Sequence, residues 1–114
     1  EKLYREKRHF QRYFTSTFLI YKDDSEFKVS KAINLSLGGT KIISEKPLPV
    51  SRPLEVVLVL GRKARWLQTE VVYSEKAGTE TPTFYTGLRF KDLSPEDFSL
   101  LQDYFQEIQK ENYN

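Results

Sequence analysis

The strongest constraint on this chain is a change of period near its end. Over residues 14–90 the apolar positions alternate in short runs, as half-buried strands do, and past residue 94 they recur every three or four residues. The alternating runs fall at 14–21, 27–35, 40–44, 54–60, 64–74 and 84–90, rich in β-branched and aromatic residues. Between them lie turn formers: Lys22 to Glu26, Gly38-Gly39, a loop over 46–53 with three prolines, Gly61-Arg62-Lys63, and a Gly/Pro-containing loop over 76–83. The first two runs read as a hairpin. Ser94-Pro95-Glu96-Asp97 then sets a capping serine, a proline at the first helical position and an acid three residues after the cap. Phe98, Leu101, Tyr104, Phe105 and Ile108 form one apolar stripe, with Asp97, Asp103, Glu107 and Glu111 mostly away from it. The pattern predicts an all-β fold with one C-terminal helix: a six-stranded antiparallel barrel whose opening the helix, about 95–111, covers.

A chain of 114 residues with 39% hydrophobic and 30% charged residues supports one globular domain. No apolar run approaches the roughly 20 residues that span a bilayer, so no direct membrane insertion is expected, and a cytoplasmic location is the default. With one histidine and no cysteine, disulfides are excluded and a transition-metal centre of the usual kind is not expected. The net charge of +2 is unevenly spread. Residues 1–13 carry five basic against two acidic side chains, while the remaining 101 carry 13 against 14. Positive charge collects on the amino-terminal segment, where it attracts phosphate.

Two short strings stand out. Arg8 and Arg12 are four apart, so their side chains share a side whether the segment is helical or extended. Each guanidinium is a planar fork that fits phosphate oxygens or the O6/N7 edge of guanine. Asn34 and Ser36 are two apart at a predicted strand end and share a face, offering donors and acceptors together. Gly39 follows, where a missing side chain permits a tight turn or close approach. Each string alone has a bland alternative: a solvated basic tail for the first, ordinary turn residues for the second.

Taken together and in this order, Arg8-x-x-x-Arg12 and Asn34-x-Ser36-x-x-Gly39 resemble the two halves of the cyclic di-GMP signature of PilZ domains. Gly87-Leu88-Arg89-Phe90 followed by Leu93-Ser94-Pro95-Glu96-Asp97 resembles that family's last strand entering its helix. The resemblance spans nearly the whole chain. It implies a split barrel over 14–114 preceded by a flexible basic arm over 1–13. It implies that Arg8 and Arg12 engage guanine edges and phosphates, that Asn34 and Ser36 hydrogen-bond the nucleotide, and that Gly39 admits it against the backbone. Arg5 and Gly38 are accessory candidates, and Phe10 and Tyr13 are aromatic neighbours that anchor the arm or pack on a base. The implied function is a bacterial receptor that binds cyclic di-GMP, changes conformation and signals to a downstream protein or a fused domain. No resident cofactor, nucleic acid or enzymatic activity is implied.

Other readings are weaker. The alternative from a different class is a PilZ-like protein-interaction module that works without nucleotide. A small barrel binding single-stranded nucleic acid would want basic and aromatic residues along a barrel face, whereas the excess charge here is on the arm. A Ser36–His9 nucleophile pair lacks an orienting acid. Asp23, Asp24 and Glu26 lack the spacing of a calcium loop. Trp66 is expected to pack, and Asn34-Leu35-Ser36 matches a glycosylation sequon by coincidence.

Overall fold

The computed structural model describes residues 13–14, 17–78, 80 and 82–113, with side chains from 17 to 109 of these. Arg5, Arg8, Arg12, His9 and Phe10 therefore lie outside the described residues. Eight strands and one helix follow along the chain: β1 Tyr13–Phe14, β2 Phe18–Asp23, β3 Glu26–Lys31, β4 Asn34–Leu35, β5 Gly39–Ser44, β6 Pro53–Leu60, β7 Lys63–Lys76, β8 Phe84–Lys91 and α1 Pro95–Tyr113. All pairings are antiparallel, in the order β1-β4-β5-β8-β7-β6-β2-β3.

The six expected strands are all present, and two two-residue strands, β1 and β4, add to them. Both arise where an expected strand breaks. The run over 14–21 yields β1 and β2, which take places far apart in the sheet order. The run over 27–35 bends after β3, where the Ala32 amide donates to the Thr17 carbonyl at 2.7 Å and the Ile33 amide to that of Lys41 at 2.8 Å. Alternation of side chains continues through such a bend, so the pattern conceals it.

The sheet curls into a split barrel. Its edge strand β3 approaches β5 without a ladder, and the Ile43 amide donates to Ser30 Oγ at 3.0 Å across the seam. Tight turns set the hairpins. Asp24 adopts φ 56° between β2 and β3, and Gly61 adopts φ 63° between β6 and β7, a conformation that costs glycine little. Inside, Leu19, Leu35, Ile42, Val56, Leu58, Val71 and Leu88 from six strands form one buried cluster with Leu101 and Phe105 of α1.

The helix begins as its cap sequence predicts: the Asp97 amide donates to Ser94 Oγ at 3.1 Å, and the Phe98 amide to the Ser94 carbonyl at 3.0 Å. Asp97 does more than cap. It accepts from Arg65 Nε at 2.8 Å and from its Nη2 at 2.6 Å, tying the first turn to β7. Tyr104 shares a hydroxyl hydrogen bond with Thr17 at the start of β2.

One minor expectation is revised here. Trp66 does not pack into the core but stands 66% exposed on the outer face of β7. The acids of the first hairpin are met by cations: Asp23 and Asp24 lie 3.3 and 3.6 Å from Arg52, and Glu26 lies 3.4 Å from Lys28. Among the described residues no acidic or histidine cluster suited to a metal occurs, and no helix is long and apolar enough to cross a membrane.

Candidate functional site

Asn34, Ser36, Gly38 and Gly39 form one corner of the barrel, built from β4, β5 and the turn joining them. Asn34 lies between Phe14 of β1 and Lys41 of β5 in the ladder. Its neighbour Leu35 is fully buried in the core, so alternation sends Asn34 to the opposite face. Thr40 Oγ1 donates to the Asn34 carbonyl at 2.6 Å and fixes the backbone from within. Only 8% of Asn34 is exposed.

Ser36 organises the turn. Its hydroxyl oxygen accepts from the Gly38 amide at 3.1 Å and the Gly39 amide at 3.2 Å. Its amide donates to the Gly39 carbonyl at 2.9 Å. Both lone pairs of Oγ are thereby used, and among the described residues its hydrogen has only the Gly39 carbonyl at 3.4 Å, longer than a normal bond. A ligand atom meeting Ser36 must therefore be an acceptor, such as a phosphate or carbonyl oxygen.

Gly39 has a packing reason for lacking a side chain. A Cβ there would overlap the Leu88 carbonyl oxygen, 3.0 Å from its carbon and 3.1 Å from the Arg89 Cα. The space is taken by the β8 backbone. The Phe90 amide donates to the Gly38 carbonyl at 2.9 Å, so the turn is fastened to β8 at both glycines.

That contact brings in two cations the sequence reading missed. Arg89 is the ladder partner of Gly39, and Lys41 is the partner of Asn34. Arg89 is hydrogen-bonded to Glu70 on β7, and this bond, more than the nearby charges of Arg89 and Lys91, lowers the Glu70 carboxyl below its ordinary value. The Lys41 ammonium sits 4.9 Å from the centre of the Tyr85 ring. Lys41 was legible in part, two residues beyond Gly39 on the same strand face. Arg89 was not, because only the β5–β8 register brings it there.

The PilZ domain profile matches residues 6–107. The chain belongs to the PilZ domain family. No curated protein sequence matches it. Solved structures share its fold at low identity. The PilZ domain of Escherichia coli YcgR, solved with cyclic di-GMP, is 18% identical with a TM-score of 0.76, covering 93% of this chain and 94% of that one. Bacillus subtilis MotI/DgrA, described as an inhibitor of motility, is 14% identical with a TM-score of 0.75, over 92% of this chain and 52% of its own. The K. pneumonia MrkH–cyclic di-GMP complex is 17% identical with a TM-score of 0.73, over 91% and 55%. This PilZ chain thus spans about half the length of MotI/DgrA and MrkH.

Proposed function

We propose that this PilZ chain is a receptor for cyclic di-GMP, held between Arg8 and Arg12 on one side and Asn34, Ser36 and Gly39 on the other. The observation that carries the reading is the pairing of β1 with β4. Tyr13 faces Leu35, and Phe14 faces Asn34, so the chain leaving β1 toward its amino end starts beside Ser36. Arg12 is bonded to Tyr13, and Arg8 is five residues from it. At roughly 3.5 Å per residue, Arg8 cannot stray more than about 18 Å from Tyr13. Both halves of the signature are tethered at one corner.

The chemistry is complementary. The barrel contributes mostly neutral groups: the Asn34 amide, the Ser36 hydroxyl as a donor, and backbone that Gly39 leaves bare. Lys41 and Arg89 add positive charge alongside, partly offset by Glu70. The forked cations that neutralise two phosphates or grip guanine edges come from the arm. Good bidentate contacts contribute about 1–3 kcal/mol each, and micromolar affinity needs about 8 kcal/mol net. Ordering residues 1–12 on binding converts ligand concentration into a change of shape that a fused domain or a partner protein reads. The cyclic di-GMP bound by the YcgR PilZ domain and by MrkH supports the choice of nucleotide.

Calorimetry with cyclic di-GMP, GMP and a short oligonucleotide tests this, with saturable heat expected for the first alone. Arg8→Ala and Arg12→Ala should each weaken binding at least about tenfold, equivalent to about 1.4 kcal/mol. Wild-type affinity in the double variant refutes the roles given to Arg8 and Arg12, whereas a wild-type chain that shows no saturable heat with cyclic di-GMP leaves a nucleotide-independent interaction module.

A further inference from the structure

The outer face of the barrel, across from the nucleotide corner in strand order, carries an apolar row that the receptor reading does not use. In register across β3, β2, β6 and β7 run Val29, Ile20, Val57 and Trp66. Phe18 and Phe27 flank this row on the same face. Phe18 is 46% exposed, Phe27 66%, Val29 69% and Trp66 66%. Ile20, Phe27, Val57 and Trp66 line a shallow depression of about 410 Å³. Scattered surface hydrophobics need no explanation, but a contiguous patch with a tryptophan at its end does.

We propose that this face is where a second copy of the chain docks, with a two-fold axis running along the strands between β2 and β6. The argument is charge complementarity. Lys22 and Glu55 line the same depression and follow Tyr21 and precede Val56, which are ladder partners. Among the described residues neither takes part in an ion pair; the Lys22 ammonium lies 5.9 Å from the Phe27 ring centre. Rotation about the axis exchanges β2 with β6 and β3 with β7 while keeping each row in place. Lys22 of one copy then lies over Glu55 of the other, twice. Val29 lies over Trp66, and Ile20 over Val57. Like charges never meet at these positions.

The area suffices. At about 150–250 Å² for a whole aromatic side chain, the exposed parts of Phe18, Phe27, Val29 and Trp66 offer roughly 500 Å² per copy. Two copies reach the roughly 1,000 Å² that a specific interface needs, before the rim is counted. Aligned sheets pack face to face with their strands within about 30° of one another, close to the parallel arrangement this axis produces.

Sedimentation equilibrium of the 114-residue chain without nucleotide tests the proposal independently of the receptor reading. A reversible monomer–dimer equilibrium is expected, with at least tenfold weaker association for Trp66→Arg. Lys22→Glu and Glu55→Lys should each weaken it tenfold or more, because each creates facing like charges. An equimolar mixture of those two variants should associate within about threefold of wild type, since the acid-rich chain then faces the base-rich one. Circular dichroism confirms that each variant is folded. A wild-type chain that stays monomeric up to about 0.5 mM, a strength of association below about 5 kcal/mol, overturns the proposal. So does a dimer indifferent to Trp66→Arg, or two reversed chains that stay apart when mixed.

Discussion

Replacing Gly39 by alanine should damage the protein through β8 before any ligand is present. The new methyl would overlap the Leu88 carbonyl oxygen and crowd the Arg89 Cα at 3.1 Å. These are backbone atoms of a paired strand, so relief requires β5 and β8 to part. Overpacking of this kind costs about 1–3 kcal/mol, and weakening the adjacent Phe90–Gly38 hydrogen bond adds about 1 kcal/mol. A total of about 3 kcal/mol lowers the melting temperature by about 12 °C at roughly 4 °C per kcal/mol. Gly87→Ala on β8 is the control. The nearest atoms its methyl would meet belong to the Tyr73 ring, including carbons at 2.7 and 2.8 Å, and a side-chain ring yields more readily than paired backbone. About 1 kcal/mol, near 4 °C, is expected there. Thermal denaturation of both variants decides the matter. Equal losses, or a Gly39→Ala protein that melts with wild type, would refute the claim that β8 rather than a ligand demands this glycine.

Ser94→Ala removes the oxygen that caps the Asp97 amide and should cost about 1 kcal/mol in urea denaturation without altering nucleotide affinity. Tyr21 is raised above its ordinary pKa of 10.0 by burial, then by Asp23 and Glu45. Its neutral form therefore favours the fold below that value, and the contribution is lost as pH rises through the raised one. Tyr21→Phe should flatten the alkaline end of the stability profile measured by denaturation across pH. Glu70 titrates low because Arg89 holds it, so its contribution is present above the ordinary carboxyl range and lost as pH falls through the depressed value. Arg89→Gln should move the Glu70 carboxyl titration upward in NMR; an unmoved titration would contradict the pairing.

Period was enough to find the long strands and the helix, because a buried sheet face and a docked helix stripe each impose their own spacing. Ser94 and Pro95 marked the helix start through local chemistry alone. The division of the first run into β1 and β2 and the bend at residue 32 were hidden for the opposite reason. Ala32 and Ile33 look like strand residues, and the chain bends because their amides find Thr17 and Lys41, partners that only the folded sheet supplies. The same holds at the site. Asn34, Ser36 and Gly39 were found as a string, but Arg89 entered through register with Gly39, and the packing that excludes a side chain from Gly39 comes from Leu88. Trp66 was misread because both faces of β7 carry large side chains, and alternation does not say which face is covered.

The corner divides labour in a way that follows from these contacts. Ser36 spends its acceptor capacity on Gly38 and Gly39, and Gly38 is fastened in turn to Phe90. A rigid turn of this kind presents donors in fixed positions and loses little entropy when a ligand arrives. It carries no full charge of its own, and Glu70 restrains Arg89. On the receptor reading, most of the electrostatic attraction then has to come from Arg8 and Arg12. Affinity should accordingly fall with added salt through the arginines, while the geometry of the corner sets which acceptor atoms are recognised. That separation explains why a change at Ser36 has to be judged against stability as well as binding.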